Sequence, residues 1–218
     1  MIDLKQLKDI DPLLRNAEKA LDEAEFSPMD PPDAYSPPGA GEIDYDSMHP
    51  FIQQLMDEHD AIVNHLDSFE KVLIAISEEG FSRDLHQQLS DFFRAFDEVI
   101  VVHNYKEEKF LFQPLQKRLL EEGDHSQSSE RRTAVDLLED DHIKVLQLAA
   151  VTFNFFGLAS RLPDPPSAAV ALDAAVEQGK VLVDVLRLHI FRENNVVFPK
   201  AQECLSTQAK DDLLAKLG

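Results

Sequence analysis

Cysteine and basic residues are scarce in this chain, and each scarcity excludes a class of protein. The single cysteine, Cys204, excludes an intrachain disulfide and favours a reducing compartment. Lysine and arginine number 21 against 41 aspartates and glutamates, which gives a formal net charge of -20. So acidic a surface is unsuited to nucleic acid and to anionic membranes, because both require clustered positive charge.

Long apolar runs are also absent from the sequence. No stretch approaches the ~20 apolar residues that a membrane-spanning helix requires. The first residues, MIDLKQLKDI, lack the apolar block of a signal peptide. We therefore expect a cytoplasmic protein that contacts neither a membrane nor nucleic acid.

The 7 glycines and 12 prolines are few and clustered, so they divide the chain into segments. Residues 1–25 predict an amphipathic helix suited to docking or to forming a homo-oligomer. Residues 26–46 contain five prolines and predict an extended linker. Residues 47–203 predict a helical domain, and residues 204–218 predict a short C-terminal helix.

Within residues 47–203, apolar residues recur at spacings of three and four, as in helices that bury one face. Gly80, Gly123 and the Pro163-Asp-Pro165-Pro166 break separate four such helices. Long helices with short connections predict an all-α, up-down-up-down four-helix bundle. The residues expected to cap or begin the four helices are Asp46 or Ser47, Ser82, Ser128 or Ser129, and Ser167.

Each of the four helices carries one histidine within its apolar stripe, and two of these histidines are followed four residues later by a glutamate. The six residues are His59, His103, Glu107, His142, His189 and Glu193. Residues four apart lie on one face of a helix, so an imidazole and a carboxylate can converge on one cation. Both His–Glu motifs also have a phenylalanine nine residues after the histidine, followed closely by a proline.

The predicted turns place the four histidines at a common height. In an antiparallel hairpin, two residues lie level when the turn is midway between them in sequence. The midpoints between successive histidines fall at residue 81, between 122 and 123, and between 165 and 166, which are the turns marked by glycine and proline. Buried carboxylates must be paired or bind a metal. We therefore predict a site for one or two divalent cations, with a metal-free polar network as the alternative.

Several neighbours of these six residues are placed to support them. The acidic residues Glu58, Glu108 and Asp141 could orient the imidazoles, although such positions are also typical of a solvated helix face. The aromatic residues near this level, which would keep bulk water out, are Phe96, Phe110 and Phe112.

These motifs resemble the hemerythrin-like, HHE cation-binding family over roughly residues 47–203. The segments that carry the resemblance are Asp57-Glu-His59, His103-x3-Glu107, Asp140-Asp-His142 and His189-x3-Glu193. The resemblance implies a left-handed four-helix bundle with a non-heme di-iron centre. It also implies that the two glutamates bridge the irons and that the four histidines are terminal ligands. Manganese or zinc also suits these nitrogen and oxygen donors.

The third helix departs from the oxygen-carrying members of that family, which have two histidines four residues apart there. Leu138 and Leu146 occupy the positions on either side of His142, so either Glu139 or water would replace the missing imidazole. This departure argues against simple oxygen carriage. We expect a di-iron protein that binds or senses oxygen, peroxide, nitric oxide, iron or redox state. A di-iron oxidase or peroxide-consuming enzyme, and a structural protein with a stabilising metal, are the alternatives.

Overall fold

The computed structural model describes residues 45–127 and 131–217. Most of these residues are helical, and they include no strand. The predicted N-terminal helix, and the predicted linker up to residue 44, lie outside the described residues. The description begins with a short 3-10 helix, Tyr45–Ser47.

Four helical rods and one shorter helix follow, and they confirm the predicted all-α four-helix bundle. Rod α1 is Pro50–Glu79 and rod α3 is Ala134–Ala159. Rod α2 consists of Arg83–Ala95, the π-helical Phe96–Ile100, Val101–Lys106, the π-helical Glu107–Phe112 and Gln113–Glu122. Rod α4 consists of Pro165–Arg192, the π-helical Glu193–Val197 and Phe198–Cys204. The last helix, α5, is Thr207–Leu217.

Ser82 caps α2 as predicted, but the other three rods begin elsewhere. His49 caps α1, and its Nδ1 accepts the N–H two residues ahead at 3.2 Å. Thr133 caps α3 through a capping box, so this rod begins later than predicted. Asp164 caps α4 by accepting the Ser167 N–H at 3.0 Å, so this rod begins earlier. Neighbouring residues can have similar capping propensities, so the cap is the residue whose side chain lies within hydrogen-bond distance of a free N–H.

Glycine ends the first two rods at the predicted positions. Gly80 and Gly123 have φ angles of 83° and 78°, a region that favours glycine because it has no Cβ. After α2, the N–H groups of Gly123 and Asp124 donate to the carbonyls of Leu120 and Leu119 at 3.3 and 2.9 Å. This reversal closes the helix and satisfies its last carbonyls.

Buried apolar side chains form two clusters within the bundle. The upper cluster extends toward the Gly80 end of the bundle and includes Phe69, Leu73 and Phe92. The lower cluster lies toward the opposite end and includes Phe51 and Leu213, the second of which belongs to α5. On all four rods, the predicted ligand residues fall where the members of one cluster give way to those of the other. The polar residues therefore occupy one layer with apolar packing above and below it.

Among the described helices, rod α3 alone has the length and composition of a membrane span, contrary to the expectation that no stretch of the sequence approaches one. The same test is passed by core helices of globular bundles, and α3 buries Leu138, His142 and Val145. Its hydropathy is therefore weak evidence for a membrane, and the cellular location stays a prediction.

Candidate metal centre

All six predicted side chains meet in the layer between the two apolar clusters. The glutamates are 0% exposed and the histidines are 1 to 2% exposed. Their ligand atoms form two compact groups, and within each group the atoms lie within 4.8 Å of one another. The first group is His59, His103, Glu107 and Glu193, and the second is Glu107, His142, His189 and Glu193. Both glutamates belong to both groups, which is the arrangement expected of bridging ligands.

Glu107 presents a different oxygen to each group. Its Oε1 lies 3.2 Å from the Nε2 of His103, and its Oε2 lies 3.6 Å from the Nε2 of His142. Glu193 faces both groups through one oxygen, because its Oε2 lies 3.1 Å from His59 Nε2 and 3.2 Å from His189 Nε2. The two carboxylates therefore lie between the two pairs of imidazoles.

The imidazoles approach one another in pairs through their Nε2 atoms. The distance is 2.8 Å between His59 and His103 and 3.1 Å between His142 and His189. Two nitrogens held at a right angle around one ion, each ~2.1 Å from it, would lie ~3.0 Å apart. The spacing of each pair therefore suits the binding of both nitrogens to a single ion.

The two glutamates have no hydrogen-bond partner for any of their four carboxylate oxygens among the described residues. Burial raises the pKa of Glu193, but the neighbouring His189 outweighs it and holds that pKa well below its ordinary value. Burial by itself would lower the pKa of His103, but the neighbouring Glu107 carboxylate has the larger, opposite effect. The pKa of His103 therefore rises to about 10. The layer thus requires positive charge, and a histidine–carboxylate donor set without hydrogen-bond partners fits metal ions well.

Comparison with protein families bears on this geometry directly. The model of the hemerythrin HHE cation binding domain matches residues 51–201. The chain belongs to the hemerythrin HHE cation-binding family. Comparison with curated proteins and with solved structures gave no match. Family membership supports a cation-binding role, while the identity and number of the ions remain predictions.

The outward-facing Nδ1 atoms of this HHE domain contact side-chain oxygens. His103 Nδ1 lies 2.9 Å from Glu58, whose other oxygen accepts a hydrogen bond from Lys106 at 2.6 Å. His189 Nδ1 lies 3.7 Å from Asp141, beyond hydrogen-bond distance, and Asp141 accepts a hydrogen bond from Arg192 at 2.8 Å. A hydrogen-bonded oxygen such as that of Glu58 fixes the orientation of an imidazole and favours the tautomer that leaves Nε2 free to bind a metal.

The other two histidines have outer partners of different charge. His142 Nδ1 lies 2.8 Å from Glu108 Oε1, and His59 Nδ1 lies 2.9 Å from Asn194 Oδ1. Sequence reasoning identified the acidic partners but missed Asn194. The available signal was position, because Asn194 directly follows Glu193 just as Glu108 follows Glu107.

Two phenylalanines cover the metal layer of the HHE domain. Phe112 stacks on His142 with ring centroids 5.5 Å apart, and Phe198 stacks on His59 at 5.3 Å. Both phenylalanines are 0% exposed. Each follows a histidine of its own rod by nine residues and covers a histidine of another rod, which gives the repeated phenylalanine a structural role.

Both shared glutamates begin a π-helical turn, a feature that the sequence did not lead us to expect. These turns are Glu107–Phe112 and Glu193–Val197. Pro114 and Pro199 lie just beyond them, and each removes one backbone hydrogen bond and crowds the carbonyl four residues earlier. Turns of this kind are frequent at functional sites.

Other candidate ligands lie outside the layer. Glu139 is exposed and belongs to neither group, so among the described residues no carboxylate replaces the missing imidazole of α3. His49 caps α1 at one end of the bundle. His65, His86 and His125 also belong to neither group.

Proposed function

We propose that this HHE domain binds two iron ions between its four rods and uses them to bind or sense a small ligand or redox state. The ligand classes are oxygen, peroxide and nitric oxide. The observation that carries the proposal is the pair of His–Glu groups that share both glutamates. Four buried carboxylate oxygens without hydrogen-bond partners among the described residues require positive charge, and two groups with common carboxylates provide for two divalent ions.

The donor set favours iron, with manganese or zinc as the alternatives. Imidazole nitrogens and carboxylate oxygens suit all three metals, and sites of this type with open positions are characteristic of non-heme iron proteins. Each group has two imidazoles of its own and shares both carboxylates, so positions remain for an exogenous ligand. When bound, an iron pair supplies those exchangeable positions together with electrons for the ligand.

The residues around the layer restrict what the site can accept. Phe112 and Phe198 cover one imidazole of each group and exclude bulk water from it. The outer oxygens of Glu58, Glu108 and Asn194 fix the rings on which the ions would depend. A layer whose six candidate ligands are nearly inaccessible to solvent favours a molecule as small as oxygen, nitric oxide or peroxide over a larger substrate.

The test combines metal analysis with a visible spectrum of the full chain before and after exposure to air. We expect about two irons per chain and absorption bands that change with oxygen. Glu107→Ala should abolish the bands and most of the bound metal, because it removes a shared carboxylate. His86→Ala is the matched control, because His86 is an exposed histidine of the same rod, and it should keep both properties.

Three results would contradict this proposal in different ways. Full metal content in Glu107→Ala would overturn the ligand assignment. One tightly bound zinc without oxygen-dependent bands would favour a structural role. Sustained consumption of peroxide at an enzymatic rate would favour the peroxide-consuming enzyme.

A further inference from the structure

The two halves of the bundle repeat the same set of contacts. The first half consists of α1 and α2, and the second consists of α3 and α4. The corresponding residues are Glu58 and Asp141, His59 and His142, His103 and His189, Lys106 and Arg192, Glu107 and Glu193, and Phe112 and Phe198. Most contacts of these residues repeat as well, although Glu58 lies 2.9 Å from His103 Nδ1 whereas Asp141 lies 3.7 Å from His189 Nδ1. Each half supplies one imidazole pair and one shared carboxylate.

One pair of corresponding positions breaks this repeat by a full charge. Glu108 follows the bridging glutamate of the first half, and Asn194 follows that of the second. Each of these side chains contacts the Nδ1 atom of a histidine in the opposite half: Glu108 contacts His142, and Asn194 contacts His59. The His142 ring therefore has a carboxylate partner, whereas the His59 ring has a neutral amide.

The other outer partners do not offset this difference. Glu58 is paired with Lys106, and Asp141 is paired with Arg192, so each of these pairs is neutral in sum. Among the described residues, no lysine or arginine lies within ion-pair distance of Glu108. The direct outer partners of the His142–His189 rings therefore carry one more negative charge than those of the His59–His103 rings.

We infer that Glu108 makes the His142–His189 position the tighter metal site, which fills first, and that Asn194 leaves the His59–His103 position weaker and exchangeable. A carboxylate on Nδ1 makes the imidazole a more basic ligand and adds attraction for a divalent cation, whereas an amide does neither. Loss of such an outer partner typically lowers metal affinity 10- to 100-fold. This inference rests on the proposed two-metal function and assigns an order of filling to its two positions.

The test is a titration of the metal-free full chain with zinc, which is redox-inert, in competition with a chromophoric chelator. We expect two binding steps in the wild type whose dissociation constants differ about tenfold or more. Glu108→Gln keeps the shape of the side chain and removes its charge, so it should weaken the tighter step until the two steps merge. Asn194→Asp adds the missing carboxylate and should merge them by strengthening the weaker step.

Two histidine variants assign each step to its position. His59→Ala should retain one ion with nearly the tighter wild-type affinity, and His142→Ala should retain one ion with the weaker affinity. Asp173→Asn is the control for overall charge, because it removes one exposed carboxylate from the first part of α4, far along the rod from His189. This variant should leave both steps within about threefold of the wild type, well below the change expected from losing an outer partner.

The outcomes separate this inference from the function on which it rests. A wild-type chain that binds fewer than two ions would overturn the two-metal function. Two ions bound with equal affinity, or unchanged steps in both Glu108→Gln and Asn194→Asp, would overturn the order of filling alone. Circular dichroism of each metal-free variant separates loss of affinity from loss of fold, and the Asn194→Asp arm gains rather than loses an interaction.

Discussion

The metal layer and the upper apolar cluster are equally buried but are stabilised in different ways. In the upper cluster, Phe69 stacks on Phe92 with ring centroids 3.7 Å apart, and both side chains are satisfied by that packing. In the layer, Glu107 and Glu193 are fully buried, and their carboxylates have no hydrogen-bond partner among the described residues. Burial alone therefore stabilises the phenylalanines, whereas the buried glutamates also need a partner for their carboxylates.

Removal of metal should have the largest effect on the free energy of unfolding, because it leaves the buried glutamates without the charge that balances them. A ligand present at a thousandfold excess over its Kd stabilises the folded state by ~4 kcal/mol, so two independent ions would contribute ~8 kcal/mol. We expect a strong chelator to lower the urea midpoint of the loaded protein. The chelator should have little effect on Glu107→Ala, and an equal shift in both proteins would contradict the comparison.

The pH dependence of the metal-free protein should be the next largest effect. The histidine pKa of 6.5 rises to about 10 for His103 and for His189, because the buried glutamates outweigh the cost of burial. The stability gained from these protons is complete below pH 6.5 and is lost as pH rises through 10. The Tm of the chelated protein should therefore fall over this interval. The Tm of the loaded protein should not follow that fall, since ions replace the protons, and parallel curves would refute this account.

Leu73→Ala should weaken the upper cluster and leave the metal layer intact. Leu73 is 0% exposed, and its truncation would leave a cavity that costs about 3 kcal/mol of unfolding free energy. The number of bound ions, measured after gel filtration, should stay unchanged. A variant that loses metal would show that the two regions are coupled rather than independent.

Gly179→Ala should have the smallest effect and should depend on Leu73. A Cβ at Gly179 would lie 2.8 Å from Leu73 Cδ2 and 3.2 Å from Phe69 Cζ, so the added methyl overpacks the cluster by roughly 1 to 3 kcal/mol. In the double variant with Leu73→Ala, that methyl enters the vacated space. The combined loss of unfolding free energy should be smaller than the sum of the two single losses, and strict additivity would contradict the contact.

The sequence predicted which histidines lie at one level, but it did not predict the π turns or the contact of Asn194. Glycine and proline marked the turns, and the constant rise of a helix converted those turns into a common level for His59, His103, His142 and His189. The π turns could not be predicted in this way, because periodicity arguments assume regular helices. Asn194 was missed for a related reason, since its partner His59 lies 135 residues away on another rod.

The amino-acid sequence alone determined the helical class, the turns and the depth of the histidines and glutamates, because these follow from local propensity and from a fixed rise per residue. The tertiary structure alone decided which oxygen faces each imidazole, and therefore that one half of the layer is paired with Glu108 and the other with Asn194. That choice depends on how neighbouring rods are rotated about their axes and on the added width of the π turns. Both properties arise from packing between segments far apart in the chain.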